Sequence, residues 1–206
     1  MKFKIIIVSI LVSIISLINV SNATIIEIDP VFDGRIRDIN GTPLLLDSDP
    51  LLEVFEGGGF ETRTIMEFSL SGISGLISGA ELWLPTATSI VGGTNISVFG
   101  YSGNGVLELA DAFSGDFVGS FLPTTIGSHS INIDTSILQN VINGGASHFG
   151  LMLSVTSGGQ AIWNHPQNST IAKLKISTNS IPEPTTLAIF ALGMIGLVSR
   201  RFKKQS

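Results

Sequence analysis

Between residues 24 and 177, hydrophobic residues recur mostly at every second position, in short runs that end at glycine-containing turns. Turn sequences such as Asn40-Gly41 and Gly57-Gly58-Gly59 interrupt the pattern about every ten residues. This pattern is typical of antiparallel strands joined by short loops. We predict strands over residues 24–28, 35–39, 51–55, 63–70, 80–84, 95–100, 116–122, 129–133, 149–156, 161–163 and 171–177.

Strands in this number fit two packed sheets better than one. The predicted fold is all-β, a two-sheet antiparallel sandwich of the jelly-roll type. Within the strand over residues 63–70, alternation places Thr64, Met66 and Phe68 on the inward face. Ile65 and Glu67 then point to the opposite face.

One segment departs from the period of two and predicts a short helix. Four apolar residues recur there at helical spacing: Ile137, Leu138, Val141 and Ile142. Asp134 or Thr135 can cap the start of this helix, and Asn143-Gly144 can end it. We expect the helix to lie on the end of the sandwich.

The N-terminal segment has the features of a secretory signal peptide. Lys2 and Lys4 precede an uncharged run over residues 5–20, and Ser21-Asn22-Ala23 places small residues where signal peptidase inspects the chain. We predict a signal helix over residues 1–23 with cleavage by signal peptidase after Ala23. An uncleaved N-terminal anchor is the alternative, because the run is long and rich in isoleucine.

The C-terminal segment has three parts in a fixed order. Pro182-Glu183-Pro184 is followed by an apolar run without charge and then by Arg200, Arg201, Lys203 and Lys204. As a helix, residues 181–199 span about 28 Å, which is enough to cross a bilayer core. We predict a transmembrane helix whose basic end stays in the cytoplasm. A plain membrane anchor or a buried core helix are the alternatives.

The order of these three parts resembles the PEP-CTERM sorting signal of exported bacterial proteins. The resemblance implies that exosortase recognises Pro182, Glu183 and Pro184, and that Arg200 and Arg201 belong to the basic end of the signal. It also implies a membrane-anchored precursor, secreted through the inner membrane, that becomes a surface or extracellular protein. The predicted organisation is a signal peptide (1–23), an extracytoplasmic domain (24–180) and a sorting signal (181–206).

Charge and composition narrow the function of the extracytoplasmic domain. Residues 24–181 contain 15 acidic and 5 basic side chains, a formal charge of −10. Such a domain repels nucleic acid and anionic lipid, so we expect no nucleic-acid partner. The chain has no cysteine, which excludes disulfides and thiolate metal sites.

A second resemblance concerns the domain itself. It rests on the segments 63–70 (RTIMEFSL), 77–84 (ISGAELWL), Ile133-Asp134 with the helix and Gly144, and 149–153 (FGLML). In this order they resemble the disaggregatase-related (DNRLRE) sandwich domains of cell-surface proteins. The resemblance implies a jelly-roll architecture related to carbohydrate-binding modules. The chain lacks the tryptophan that this family carries within the short helix.

Carboxylates near the start of the domain are candidates for a metal site. Asp29, Asp33 and Asp38, with Asp47 and Asp49 after them, provide the hard oxygen ligands that calcium prefers. These residues are either ligands of a structural calcium ion or solvated turn residues, since aspartate also favours turns. We expect no other cofactor.

An aromatic and polar segment is the candidate for glycan contact. Trp163, Asn164 and His165 lie where two strands are joined, and Gln160 adds a hydrogen-bonding side chain. A tryptophan ring can stack on a sugar while neighbouring amides bind its hydroxyls. Alternatively, Trp163 is a core residue, because Ala161-Ile162-Trp163 continues an apolar strand.

Residue patterns for catalysis are weak in this sequence. No Gly-x-Ser-x-Gly motif is present, and His129, His148 and His165 lack the close spacing of a zinc helix. We therefore expect a non-enzymatic surface or extracellular-matrix protein associated with exopolysaccharide and biofilm. A glycan-binding protein resembling a carbohydrate-binding module is the alternative.

Overall fold

The computed structural model describes residues 23–46, 51–92, 95–155, 158–164 and 172–179. The predicted signal helix and the predicted transmembrane helix lie outside these residues. Within the described ranges, no helix is long and apolar enough to cross a membrane. Residues Thr24–Thr178 form one compact unit.

The described residues form two antiparallel sheets and one short α-helix, as the sequence pattern predicts. The helix α1 covers Thr135–Asn143, and a 3₁₀ helix covers Leu109–Phe113. The strands are β1 (Ala23–Ile28), β2 (Pro30–Ile39), β3 (Thr42–Leu46), β4 (Leu51–Gly57), β5 (Phe60–Ser69), β6 (Leu76–Leu84), β7 (Ala87–Val91), β8 (Ile96–Gly103), β9 (Asp116–Phe121), β10 (His129–Asn132), β11 (His148–Val155), β12 (Gly159–Asn164) and β13 (Lys173–Asn179).

The smaller sheet has the strand order β1-β13-β6-β10. The larger sheet follows the order β7-β12-β4-β5-β11-β8-β9, and β2 pairs with both β5 and β3. Strands β4 and β11 pair with different stretches of β5. Residues Phe60–Thr62 pair with β4, and residues Thr64–Ser69 pair with β11. Strand β2 runs along both stretches.

Strands β3 and β7 are not among the predicted strands. Each has five residues and a single neighbour, β2 for β3 and β12 for β7. Short strands at a sheet edge bury little apolar surface, so their sequences carry little periodic signal. Strand β2 also begins earlier than predicted, at Pro30.

The main core lies between the two sheets. It contains Phe68 from β5, Phe149 from β11, Leu82 from β6 and Leu174 from β13, all fully buried. Helix α1 closes one end of this core with Leu138 and Val141. As predicted, Asp134 caps the helix, its carboxylate accepting a hydrogen bond from the Ser136 N–H at 2.8 Å.

A second group of buried residues lies on the other face of the larger sheet. We call it the outer cluster: Ile36, Ile65, Tyr101, Ala112 and Met152. Met66 and Phe68 point into the main core, as alternation predicts, yet Ile65 and Glu67 on the opposite face are also fully buried. The 3₁₀ helix contributes Ala112 to this cluster, so the segment between β8 and β9 covers part of this face.

Candidate functional site

A row of side chains crosses four strands of the larger sheet. Arg37, Thr62, Phe55 and Gln160 are successive Cα partners across β2, β5, β4 and β12. Directly opposed residues in a sheet point to the same face, with Cβ atoms about 5 Å apart. The row therefore presents one cation, one hydroxyl, one aromatic ring and one amide on a common surface.

Two hairpin turns bring these strands into register. Asn40 and Gly41 join β2 to β3 with φ values of 52° and 85°, and Gly58 and Gly59 join β4 to β5 with 61° and 83°. Positive φ at both central residues is the geometry of type I′ turns, which are common in two-residue hairpins. The turns also contact each other, since the Asn40 N–H donates to the Gly59 carbonyl at 2.9 Å.

Glu53 organises the polar side chains next to this row. Its carboxylate forms a buried ion pair and hydrogen bond with Arg35 and accepts a hydrogen bond from the Gln160 amide at 2.7 Å. Arg37 lies 3.6 Å from the same carboxylate. The Thr64 hydroxyl donates to the Glu53 carbonyl oxygen at 2.8 Å, which fixes the backbone beneath.

The buried ion pair has an electrostatic cost that its partners offset. Burial lowers the pKa of Arg35, while the adjacent Glu53 opposes this shift. An arginine remains charged under such shifts, so its ion pair with Glu53 persists. Removing one member of a buried pair leaves an uncompensated charge, which typically destabilises a protein by about 3–5 kcal/mol. Arg35 and Glu53 thus serve as the rigid base of the site.

These residues border a groove of about 210 Å³, lined by Arg37, Glu53, Phe55, Phe60, Thr62 and Gln160. We call it the Arg37 groove. The Phe60 ring is 43% exposed, and the Arg37 side chain is 38% exposed. An exposed aromatic ring beside a guanidinium and an amide can bind a ligand that has both an apolar face and polar groups.

A row of carboxylates lies next to the row that contains Arg37. The next row along consists of Asp38, Glu61 and Glu56, which are Cα partners across β2, β5 and β4. Adjacent rows of a sheet point to opposite faces. The three carboxylates nevertheless line a pocket together with Phe60, the ring that also borders the Arg37 groove. Glu61 binds the Arg63 guanidinium through two bonds of 2.6 and 2.8 Å.

Trp163 is a core residue in this structure. Its side chain is fully buried, and its ring contacts Phe121 and His129 with centroid distances of 6.2 and 6.5 Å. The glycan-contact hypothesis requires an exposed ring, whereas the Trp163 ring is buried and cannot contact a ligand. The Asn164 side chain and His165 lie outside the described residues. Gln160 is three residues before Trp163 and so faces the other way.

The aspartates proposed as calcium ligands are separated along an extended chain. Asp33 and Asp38 both belong to β2, where a rise of about 3.3 Å per residue separates them by roughly 16 Å. Asp38 accepts a hydrogen bond from the Gly41 N–H at 2.7 Å, the arrangement of a turn residue, and Asp29 lies 3.7 Å from Lys173. Asp47 and Asp49 lie outside the described residues. Among the described residues, no three His, Asp or Glu side chains are placed to hold a metal ion.

A buried acidic group lies at the outer cluster. Glu67 is fully buried and accepts a hydrogen bond from the Gly105 N–H at 2.6 Å, while Asp111 accepts one from the Glu108 N–H at 2.7 Å. Burial raises the pKa of both carboxyl groups. A Cβ atom at Gly103 would lie 2.4 Å from the Glu67 carboxylate, so only glycine allows this packing. The Glu67 carboxylate thus lies beneath the segment 103–115, where it has a structural role.

Arg37, Glu53, Phe55 and Phe60 were not singled out from the sequence as site residues. Their sequence signal is faint, since an isolated Phe or Arg in an alternating strand is ordinary. One usable signal exists: Arg35, Arg37 and Arg63 are the three arginines between residues 24 and 181. Their location on two adjacent strands is unusual in so acidic a domain.

Comparison with known families identifies the C-terminal end of the chain. Residues 180–204 match the PEP-CTERM protein-sorting motif, which confirms the resemblance seen in the sequence. The motif implies an exported protein that exosortase processes, with a membrane-anchored precursor that reaches the cell surface. No curated protein matches the chain. The resemblance of the domain to DNRLRE sandwich domains stays a prediction.

Proposed function

We propose that the domain over residues 24–180 is a non-enzymatic glycan-binding module that attaches this exosortase-sorted protein to exopolysaccharide outside the cell. The observation that carries the proposal is the Arg37 groove, a concave site that combines an exposed ring with fixed polar groups. Sugars need this combination, because their rings have apolar C–H faces and hydroxyl edges. The sorting motif supports the proposal, because it implies a protein that reaches the cell surface.

Preorganisation of the groove supports a binding role. Glu53 is held by Arg35 and Gln160 before any ligand arrives. Binding to side chains that are already ordered avoids much of the entropy that ligand binding otherwise costs. The Gln160 amide keeps its carbonyl oxygen as a hydrogen-bond acceptor for a hydroxyl group.

A binding role without catalysis is supported by the acidic side chains at the groove. Glycoside hydrolysis generally needs two carboxyl groups that flank the scissile bond. Among the described residues that line the groove, Glu53 is the one carboxylate, and it is committed to Arg35 and Gln160. In the adjacent row of carboxylates, Glu61 is bonded to the Arg63 guanidinium and Asp38 accepts a hydrogen bond from the Gly41 N–H.

Retention on exopolysaccharide from the producing cell tests the proposal. We expect Phe60→Ala to weaken retention of the full chain by about two- to tenfold, the range for one lost aromatic contact. Because Phe60 is 43% exposed, the melting temperature should change little.

Phe117→Ala is the matched control, since Phe117 is a similarly exposed ring, on β9 and outside the groove. Equal loss in both variants would mean that the groove has no special role. Absence of retention for the unmodified chain would overturn the proposed function.

A further inference from the structure

Strand β1 lies at the edge of the smaller sheet and is the first strand of the domain. The order β1-β13-β6-β10 gives it a single neighbour, β13. None of the residues 24–28 is fully buried, although Ile28 packs against the main core while it stays partly exposed. Strand β13 differs, since its Leu174 and Ile176 are fully buried. Strand β13 is therefore part of the core of the domain, whereas β1 lies at its margin.

Ion pairs at solvent-exposed positions connect the side chains of β1 and β13. The Glu27 carboxylate lies 3.4 Å from the Lys173 ammonium group and 3.9 Å from that of Lys175. The Glu27 side chain is 49% exposed. Ion pairs that remain in contact with water contribute little to stability. These side chains therefore determine what β1 pairs with more than how tightly it is held.

A single residue connects β1 to the larger sheet. Strand β1 ends at Ile28, β2 begins at Pro30, and the two strands belong to different sheets. Asp29 alone carries the chain from one sheet to the other, and the proline ring fixes φ at the residue that follows. A short connection of this kind favours exchange of a strand between copies, because it restricts how the strand folds back on its own copy.

The edge of β13 can accept β1 from a second copy. Without a neighbour on this side, β13 would present unpaired backbone N–H and C=O groups along its edge. Strand β1 of another copy has the same sequence, so it restores the same backbone hydrogen bonds and the same ion pair between Glu27 and Lys173. Exchange of an identical element is a low-cost route to a dimer, since it needs no new contacts.

We propose that two copies of the mature protein exchange β1, so that each β1 pairs with β13 of the other copy. Cleavage after Ala23, which the sequence predicts, leaves β1 as the free end of the chain. The exchanged strand belongs to the smaller sheet and the residues of the Arg37 groove to the larger sheet, so this inference does not depend on the proposed glycan binding. A dimer linked in this way carries two grooves, and two linked sites bind a repeating polymer with higher avidity than one.

Charge reversal on the two strands tests the exchange in surface protein purified from the producing cell. Glu27→Lys and Lys173→Glu each place like charges on β1 and β13, both in a monomer and in a dimer of that variant alone. A dimer of one variant with the other brings opposite charges together at both exchanged sites. With one variant isotope-labelled, native mass spectrometry should find mixed dimers at about threefold or more above the proportion that random pairing gives.

Asp116→Lys is the matched control, because it makes the same change in charge as Glu27→Lys but lies on β9 of the larger sheet. Mixed with Lys173→Glu, it should form mixed dimers at the random proportion. An equal proportion of mixed dimers in the two mixtures would contradict the exchange of β1. Surface protein that stays monomeric at every concentration would also overturn it.

Insertion of glycines between Asp29 and Pro30 tests the connection independently of charge. A longer connection lets β1 fold back on its own copy, so an insertion of about three glycines should lower the dimer fraction by about fivefold or more. The same insertion at Gly72, in the loop between β5 and β6, is the control and should leave the dimer fraction unchanged. Equal dimer fractions in the two insertion variants would show that the copies do not exchange β1.

Discussion

At the scale of single residues, neighbours on one strand have different roles because they point to different faces. Gln160 lines the Arg37 groove, whereas Trp163, three residues later, belongs to the main core. Phe60 and Phe68 on β5 share a face by alternation, yet Phe60 is exposed at the groove and Phe68 is fully buried. Position along the strand thus decides whether an aromatic ring stabilises the fold or is available to a ligand.

Substitution of Trp163 tests its assignment to the core. Trp163→Ala should lower the free energy of unfolding by about 3–5 kcal/mol, because it removes a fully buried ring and leaves a cavity. Chemical denaturation of the unmodified and variant chains measures this difference. Phe60→Ala is the comparison and should cost far less. An unchanged unfolding midpoint for Trp163→Ala would indicate that the ring lies on the surface, and the hypothesis that it contacts a glycan would then stand again.

At the scale of elements, the segment 103–115 is held on the larger sheet by a few polar contacts. Arg63 donates a hydrogen bond to the Ala112 carbonyl, and its guanidinium lies 4.8 Å from the centroid of the Phe113 ring. Gly105 donates to the buried Glu67. Strand β5 thus carries both faces of the domain: the groove and main core on one, and this covered acidic group on the other.

The buried acidic group predicts a pH dependence of stability. Burial raises the pKa of Glu67 above its usual 4.5, so the folded state holds this proton more tightly than the unfolded state does. The stabilisation from the protonated group is fully present below about pH 4 and is lost as the pH rises through the raised pKa. Asp111, whose pKa burial also raises, acts in the same direction.

Glu67→Gln isolates this effect, because the amide stays neutral and its oxygen can still accept from Gly105. We expect the stability of the unmodified chain, relative to Glu67→Gln, to fall between pH 4 and pH 7 in denaturant unfolding. Glu81→Gln, on the smaller sheet and 37% exposed in its side chain, is the control. A constant difference between the unmodified chain and Glu67→Gln across this range would contradict the expected shift.

At the scale of the whole molecule, the domain and the sorting motif have separate roles. The match over residues 180–204 implies export and processing by exosortase. The unit Thr24–Thr178 has its own core, and the residues that line the Arg37 groove belong to this unit. The proposed glycan-binding function therefore belongs to the domain and not to the C-terminal segment.

Mass spectrometry of the mature protein tests processing at both ends. In a cell with exosortase, we expect the chain to begin at Thr24 and to end near Pro184. A strain without exosortase, or a Glu183→Ala variant, should retain residues 200–206, because the recognition step is lost. Mature surface protein that still carries residues 200–206 in the presence of exosortase would indicate a plain anchor.

The fold class, the capped helix and the sorting motif could be inferred from the sequence because their signals are local. Alternation within strands, Asp134 at the helix start and the order of proline, apolar run and basic cluster are each readable within about 25 residues. Such local preferences determine which residues share a face of an element. They do not determine which face the rest of the chain will cover.

Only the tertiary structure decided the groove, the burial of both faces of β5 and the position of Trp163. The Arg37 groove is lined by Arg37, Glu53, Phe60 and Gln160. These residues meet because their strands pair, although Gln160 is more than a hundred positions from the other three in the sequence. Alternation predicts two faces for β5, yet the outer face is buried because the segment 103–115 packs over it. Pairing register and layer packing are non-local, which is the physical reason why the sequence pattern alone left the site undetermined.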